Sequence, residues 1–173
     1  MFRIMLVYGA IAGIVIIAVM TAGIMLSGGS GSVVQGYLTM LVVLSLIFVG
    51  IKRYRDKDLG GVIKFLPAFG LGVGIAAVAA VFYVISWEAS LHLTDFAFMD
   101  SYKEATVAGY EEKGITGEAL AAKVAELDKM MSNYTNPFFR IPITFVEIFP
   151  VGLIVALISA ALLRNPKVFP AKA

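Results

Sequence analysis

The sequence predicts an all-α, polytopic membrane protein: four transmembrane helices, with a helical hairpin on the outer side between the third and the fourth. Three observations carry this. The chain is 60% hydrophobic and 15% charged, with a mean hydropathy of +0.89, where soluble domains hold roughly 45–50% apolar and about 25% charged residues. Its apolar runs reach the ~20 residues that a helix needs to cross a hydrocarbon core about 30 Å thick. Its charges are gathered between and outside those runs. Residues 1–173 therefore read as a single membrane domain.

Taken in order, the first span covers about 4–26 and the second about 33–51. No Asp, Glu, Lys, Arg or His occurs from Ile4 to Ile51, and the stretch is cut only by Ser27-Gly28-Gly29-Ser30-Gly31-Ser32, a polar turn. Arg3 before an apolar run also fits a secretory leader. The run is longer than the ~7–15-residue core of such leaders, which favours a span. The charged run Lys52-Arg53-Tyr54-Arg55-Asp56-Lys57-Asp58 then reads as a loop. The third span covers about 62–87, with Phe82, Tyr83 and Trp87 as an aromatic belt at its outer end, and the fourth covers about 141–163.

Residues 88–140 form the polar segment between the third and fourth spans. Ser101 to Gly114 and Gly117 to Tyr134 are rich in helix formers, and Leu120, Val124, Leu127 and Met131 recur at helical spacing in the second. Thr116 is placed to cap that helix. The pair reads as a hairpin resting on the membrane surface or on the outer ends of the bundle, or as a docking face for a partner or lipid.

Orientation follows from Lys and Arg, because translocation of basic flanks is disfavoured. Arg3, Lys52, Arg53, Arg55, Lys57, Lys64, Arg164, Lys167 and Lys172 lie on one side, with only Asp56 and Asp58 against them. Lys103, Lys113, Lys123, Lys129 and Arg140 lie on the other with ten acidic residues. The first side is the cytoplasm, which places both termini inside. The localisation that follows is the bacterial inner (plasma) membrane.

Composition also excludes chemistry. The net charge of +2 and the lack of basic clusters interleaved with aromatics argue against a nucleic-acid partner. Absence of cysteine removes disulfides, thiolate metal sites and thiol catalysis. There is one histidine, no Gly-x-Ser-x-Gly and no Gly-x-x-x-x-Gly-Lys-Ser/Thr. No enzymatic activity, cofactor or metal is expected.

Ionisable residues at membrane depth ask for a reason, since a charge at the centre of a spanning helix costs at least ~2.5–3.5 kcal/mol. Glu147 stands inside the fourth apolar run, three residues before Pro150, with no charge beside it. Arg140, two turns earlier, is a long reach for it. Glu88, His92 and Asp95 share a face if the third helix continues past Trp87. Brought together, these four residues would make a proton or ion site; at the interface they need no explanation. Small residues mark the faces where helices approach closely: Gly9 and Gly13 on the first span, Gly72, Ala76 and Ala80 on the third, Gly152, Ala156 and Ala160 on the fourth.

Tyr8-Gly9-Ala10-Ile11-Ala12-Gly13, Gly109-Tyr110, Met130-Met131-Ser132-Asn133-Tyr134 with Asn136-Pro137, and Phe145-Val146-Glu147-Ile148-Phe149-Pro150-Val151-Gly152-Leu153-Ile154 leading into Leu157-Ile158-Ser159-Ala160 resemble DUF4199, an uncharacterised bacterial membrane-protein family. The resemblance runs over nearly the whole chain. It implies a four-helix inner-membrane protein without an established activity, and it supplies no catalytic residues.

Three functional classes remain. The first is a non-enzymatic membrane subunit or scaffold that packs with a second copy or another membrane protein. The second is a small oligomer that moves protons, ions or a solute past Glu147 and the outer acidic residues. The third is a protein that interacts with membrane lipids through Lys52, Arg53, Arg55 and Lys57. The orientation is directly testable in this cysteine-free chain. A cysteine at Ser101 is expected to react with an impermeant thiol reagent on intact cells, and one at Asp56 only after permeabilisation; labelling at Asp56 in intact cells would invert the topology.

Overall fold

A computed structural model describes residues 1–27 and 33–171. Of the anticipated Ser27–Ser32 turn all but Ser27 lies outside the described residues, as does Lys172. Seven helices and no strand occur among the described residues: α1 (Phe2–Ser27), α2 (Val33–Leu44), α3 (Leu46–Asp58), α4 (Phe65–Leu93), α5 (Ala97–Glu112), α6 (Gly117–Tyr134) and α7 (Pro137–Leu163). Four stretches are long and apolar enough to span a membrane, namely α1, the combined α2–α3 from Gly36 to Asp58, α4 and α7. The chain is thus a multi-pass α-helical membrane protein.

The helices run further than the apolar runs that announce them. α3 carries the charged run to Asp58 in helical form, so that the anticipated loop shrinks to a turn around Gly60 and Gly61. Lys52 pairs with Asp56 one turn on, which keeps the charged turn helical. Gly60 and Gly61 have positive φ, and the Gly61 amide closes 2.8 Å onto the Arg55 carbonyl. α4 likewise continues to Leu93, and α7 begins at Pro137, where Asn136 accepts from the Phe138 amide at 3.0 Å. Thr116 does precede α6, but its side chain makes no capping bond. Between α2 and α3, Ser45 keeps helical dihedrals and donates from Oγ to the Val42 carbonyl at 2.6 Å, so the two helices form one span.

α4 is the central helix. Half of its most apolar stretch is buried within the protein, against 28–33% in the other spans, and it packs most extensively on α1 and α7. Such packing depends on short side chains, because lipid is as apolar as leucine and helices gain by backbone proximity. A Cβ on Gly72 would stand 2.7 Å from the Cβ of Ala156, and one on Gly152 would stand 2.7 Å from that of Ala76. On α1, a Cβ at Gly13 would meet the Ala79 carbonyl oxygen at 2.5 Å and the Tyr83 amide nitrogen at 2.9 Å. Gly9 lies against Val78 and Ile75, while Ala80 and Ala160 are fully buried. Longer residues such as Phe2, Val42, Leu66 and Val146 point outward.

Arg55 is fully buried near the end of α3 and is thereby withdrawn from the headgroup-facing cluster in which the sequence placed it. Its guanidinium donates to Asp56, to the carbonyls of Leu163 (3.3 Å) and Val168 (3.0 Å), and to that of Phe169. These acceptors lie at and just beyond the end of α7, where a helix leaves carbonyls without partners and carries partial negative charge. Phe169 meets Phe48 edge-on at 5.4 Å.

The backbone-level contact makes a sharp contrast. Gly13→Ala is expected to destabilise the protein by about 1–3 kcal/mol through overpacking. Gly70→Ala, where a Cβ meets nothing within 4 Å, should be neutral or stabilise by up to ~1 kcal/mol through helix propensity. Melting temperatures in detergent compare the two directly.

Candidate functional site

Arg140, which is 2% exposed, is the buried charged residue at the α5–α6 end of the bundle among the described residues. Four helices deliver its surroundings: the end of α4, the start of α5, the end of α6 and the first turn of α7. Nε donates to Glu88 Oε1 and Nη2 to Oε2, both at 2.6 Å. This is a bidentate pair, the geometry in which a planar guanidinium fits a carboxylate. Nη1 donates to the carbonyls of Tyr134 (2.8 Å) and Thr135 (3.2 Å). The rings of Phe96 and Tyr134 lie 5.3 and 5.8 Å from the guanidinium carbon.

Local sequence explains how these groups arrive. Asp95 and Phe96 adopt left-handed φ of 46° and 60°, a conformation uncommon outside glycine. The Phe96 amide closes onto the Leu91 carbonyl at 2.9 Å, ending α4 and turning the chain into α5. Trp87, one residue before Glu88, donates from Nε1 to the Tyr134 hydroxyl at 2.9 Å and meets Phe98 edge-on at 5.0 Å. Lys103 of α5 and Asp128 of α6 pair at 2.5 Å, and Leu127 of α6 is buried.

Of the four residues singled out from sequence, Glu88 and His92 are neighbours, and Glu147 lies apart on α7. Glu88 is committed to Arg140. His92 is an exposed neighbour of Glu88 and meets the Phe96 ring edge-on at 5.3 Å. Asp95 is exposed in the left-handed turn. Glu147 lies on α7 about two turns below Arg140, interacts with the Tyr83 hydroxyl, and lines an open crevice of about 420 Å³ with Tyr37, Pro142, Ile143 and Val146. Among the described residues, no group of three or more His, Asp and Glu could hold a metal ion. The aromatic belt also resolves differently from its sequence reading. Tyr83 is 2% exposed and packs in the core, its hydroxyl 3.8 Å from the sulfur of Met20, and Trp87 bonds the Tyr134 hydroxyl beside the Arg140 clamp.

Sequence reasoning weighed Arg140 only against Glu147 on its own helix and missed its true partner. The available signal was Glu88 directly after Trp87: an acid at the outer end of one span matching a base at the outer start of the next.

Helix architecture and this clamp define a class, the four-span α-helical membrane protein with helix ends on one side tied by a bidentate ion pair on a buried arginine. The chain belongs to DUF4199, a family described as protein of unknown function, whose model matches residues 7–165. No curated protein and no solved structure matches it.

Removing one half of a buried ion pair strands the other. Arg140→Met is therefore expected to cost about 3–5 kcal/mol and to speed tryptic cleavage in the hairpin. Adding Glu88→Gln should recover part of that loss, a non-additivity that a double-mutant cycle measures.

Proposed function

We propose that the protein is a non-enzymatic membrane subunit or scaffold of the bacterial inner membrane, with both termini in the cytoplasm, that assembles with a second copy or with another membrane protein. The observation that carries this reading is the use of the buried charges. The buried Arg140 and Arg55 spend their hydrogen bonds on Glu88, on Asp56 and on backbone carbonyls, an arrangement that fixes helix ends. The clamp holds the α5–α6 hairpin in a set place above the bundle, as a platform for a partner requires.

Transport through one copy has less support, because it needs a polar route across the bilayer. Below Tyr83, α4 presents the fully buried Ala80, Ala79 and Ala76 to its neighbours. The small-residue faces are occupied inside the bundle, so a partner would contact the hairpin or the lipid-facing sides of α1 and α2.

Native mass spectrometry of the protein extracted in its own lipids tests the reading. Two or more copies, or a second membrane protein at fixed stoichiometry, is the expected outcome. A single copy carrying only lipid would favour the lipid-interacting alternative.

A further inference from the structure

Glu147 is the acidic residue that the clamp leaves over. It sits seven residues below Arg140 on α7, or about 10 Å at 1.5 Å per residue, well inside a hydrocarbon core about 30 Å thick. The side chain is exposed on the bundle surface, on a spanning helix whose nearby residues Ile143 and Val146 are 45% and 63% exposed. The crevice beside it, bounded by Tyr37 of α2 and by Pro142, Ile143 and Val146, is open rather than enclosed. It therefore leads the carboxyl to lipid and not to a water-filled interior.

The groups that face it carry no positive charge. α4 contributes the Tyr83 hydroxyl and α2 contributes Tyr37; α1 reaches the same region with the Met20 sulfur, which accepts from Tyr83. On α7 itself the nearest cation is Arg140, whose donors go to Glu88 and to two carbonyls. A bare carboxylate in hydrocarbon without a cation is costly. The simplest neutralising ligand that fits beside a tyrosine hydroxyl in an apolar crevice is a proton.

We propose that Glu147 is a proton-binding site of the hydrocarbon region, its protonated carboxyl presented to the lipid through the crevice between α2 and α7. The site is separate from the outer clamp and does not depend on the scaffold reading. Such a carboxyl has a distinctive reactivity toward a lipid-soluble carbodiimide. The carboxyl oxygen adds to the central carbon of the reagent while the carboxyl proton moves to one nitrogen. The acyl group then migrates from oxygen to the other nitrogen, giving a stable N-acylurea from which no atom has left. In water the intermediate is hydrolysed first, so the stable adduct reports both a bound proton and a dry site.

The experiment treats the full-length protein in lipid nanodiscs at neutral pH with N,N′-dicyclohexylcarbodiimide and maps adducts by peptide mass spectrometry. Glu147 should gain the mass of one whole reagent molecule, in excess over the exposed Glu118 by roughly tenfold or more, the factor to which about 1.4 kcal/mol of charge-burial cost corresponds. A water-soluble, cationic carbodiimide should not modify it. Val146→Trp, which fills the crevice and blocks the reagent's approach to Glu147, should abolish the adduct while the melting temperature stays near that of the parent. The proposal is overturned if Glu147 is labelled no more than Glu118, if the water-soluble reagent labels it as well, or if labelling survives in a folded Val146→Trp variant.

Discussion

Close approach of α1 and α7 to α4 is the constraint on which the rest of the molecule depends. In lipid there is no water to drive helices together, so association comes from packing that begins at the backbone. Gly72 and Ala76 of α4 interlock with Ala156 and Gly152 of α7, and Gly13 of α1 lies on the backbone of Ala79 and Tyr83. At those points of closest approach a larger side chain has nowhere to go. Many larger apolar residues cover the outside, others fill the core between the seams, and α2–α3 completes the set.

Two buried arginines finish what the packing begins, and both act on α7. Arg140 sits in its first turn and bonds the carbonyls of Tyr134 and Thr135 just before it. Arg55 reaches from α3 to Leu163 at its end and to Val168 and Phe169 just after it. Helix ends carry unsatisfied backbone groups, and near a membrane they are costly to leave without partners. A guanidinium with several donors in one plane answers that need at one stroke. The same two residues also fasten elements outside the bundle, the hairpin above and the C-terminal segment below. The donors of both buried arginines are thus spent on helix ends and on neighbouring carboxylates, and Glu147 is not among their partners.

Much of this architecture is legible in the amino-acid order alone. The four spans, the polar segment after the third, the asymmetry of basic residues and the α6 boundaries follow from apolar run length, charge placement and helical periodicity, all of which are local properties of the chain. Small residues at four-residue steps likewise announce seams, since only a helix that must be approached closely has reason to repeat them. The tertiary structure decided which partners those residues take: that Gly13 meets the α4 backbone, that Tyr83 turns inward instead of joining an interfacial belt, that Arg55 caps a helix more than a hundred residues away, and that Arg140 binds Glu88 and leaves Glu147 to Tyr83 and the lipid. Helix spacing places Arg140 and Glu147 on one face of α7, yet a guanidinium lowers its energy most where a carboxylate meets it in the plane of both groups, and that carboxylate stands on α4. Local order in the sequence specifies helices, while the pairing of charges is set by geometry between helices that sequence spacing does not contain.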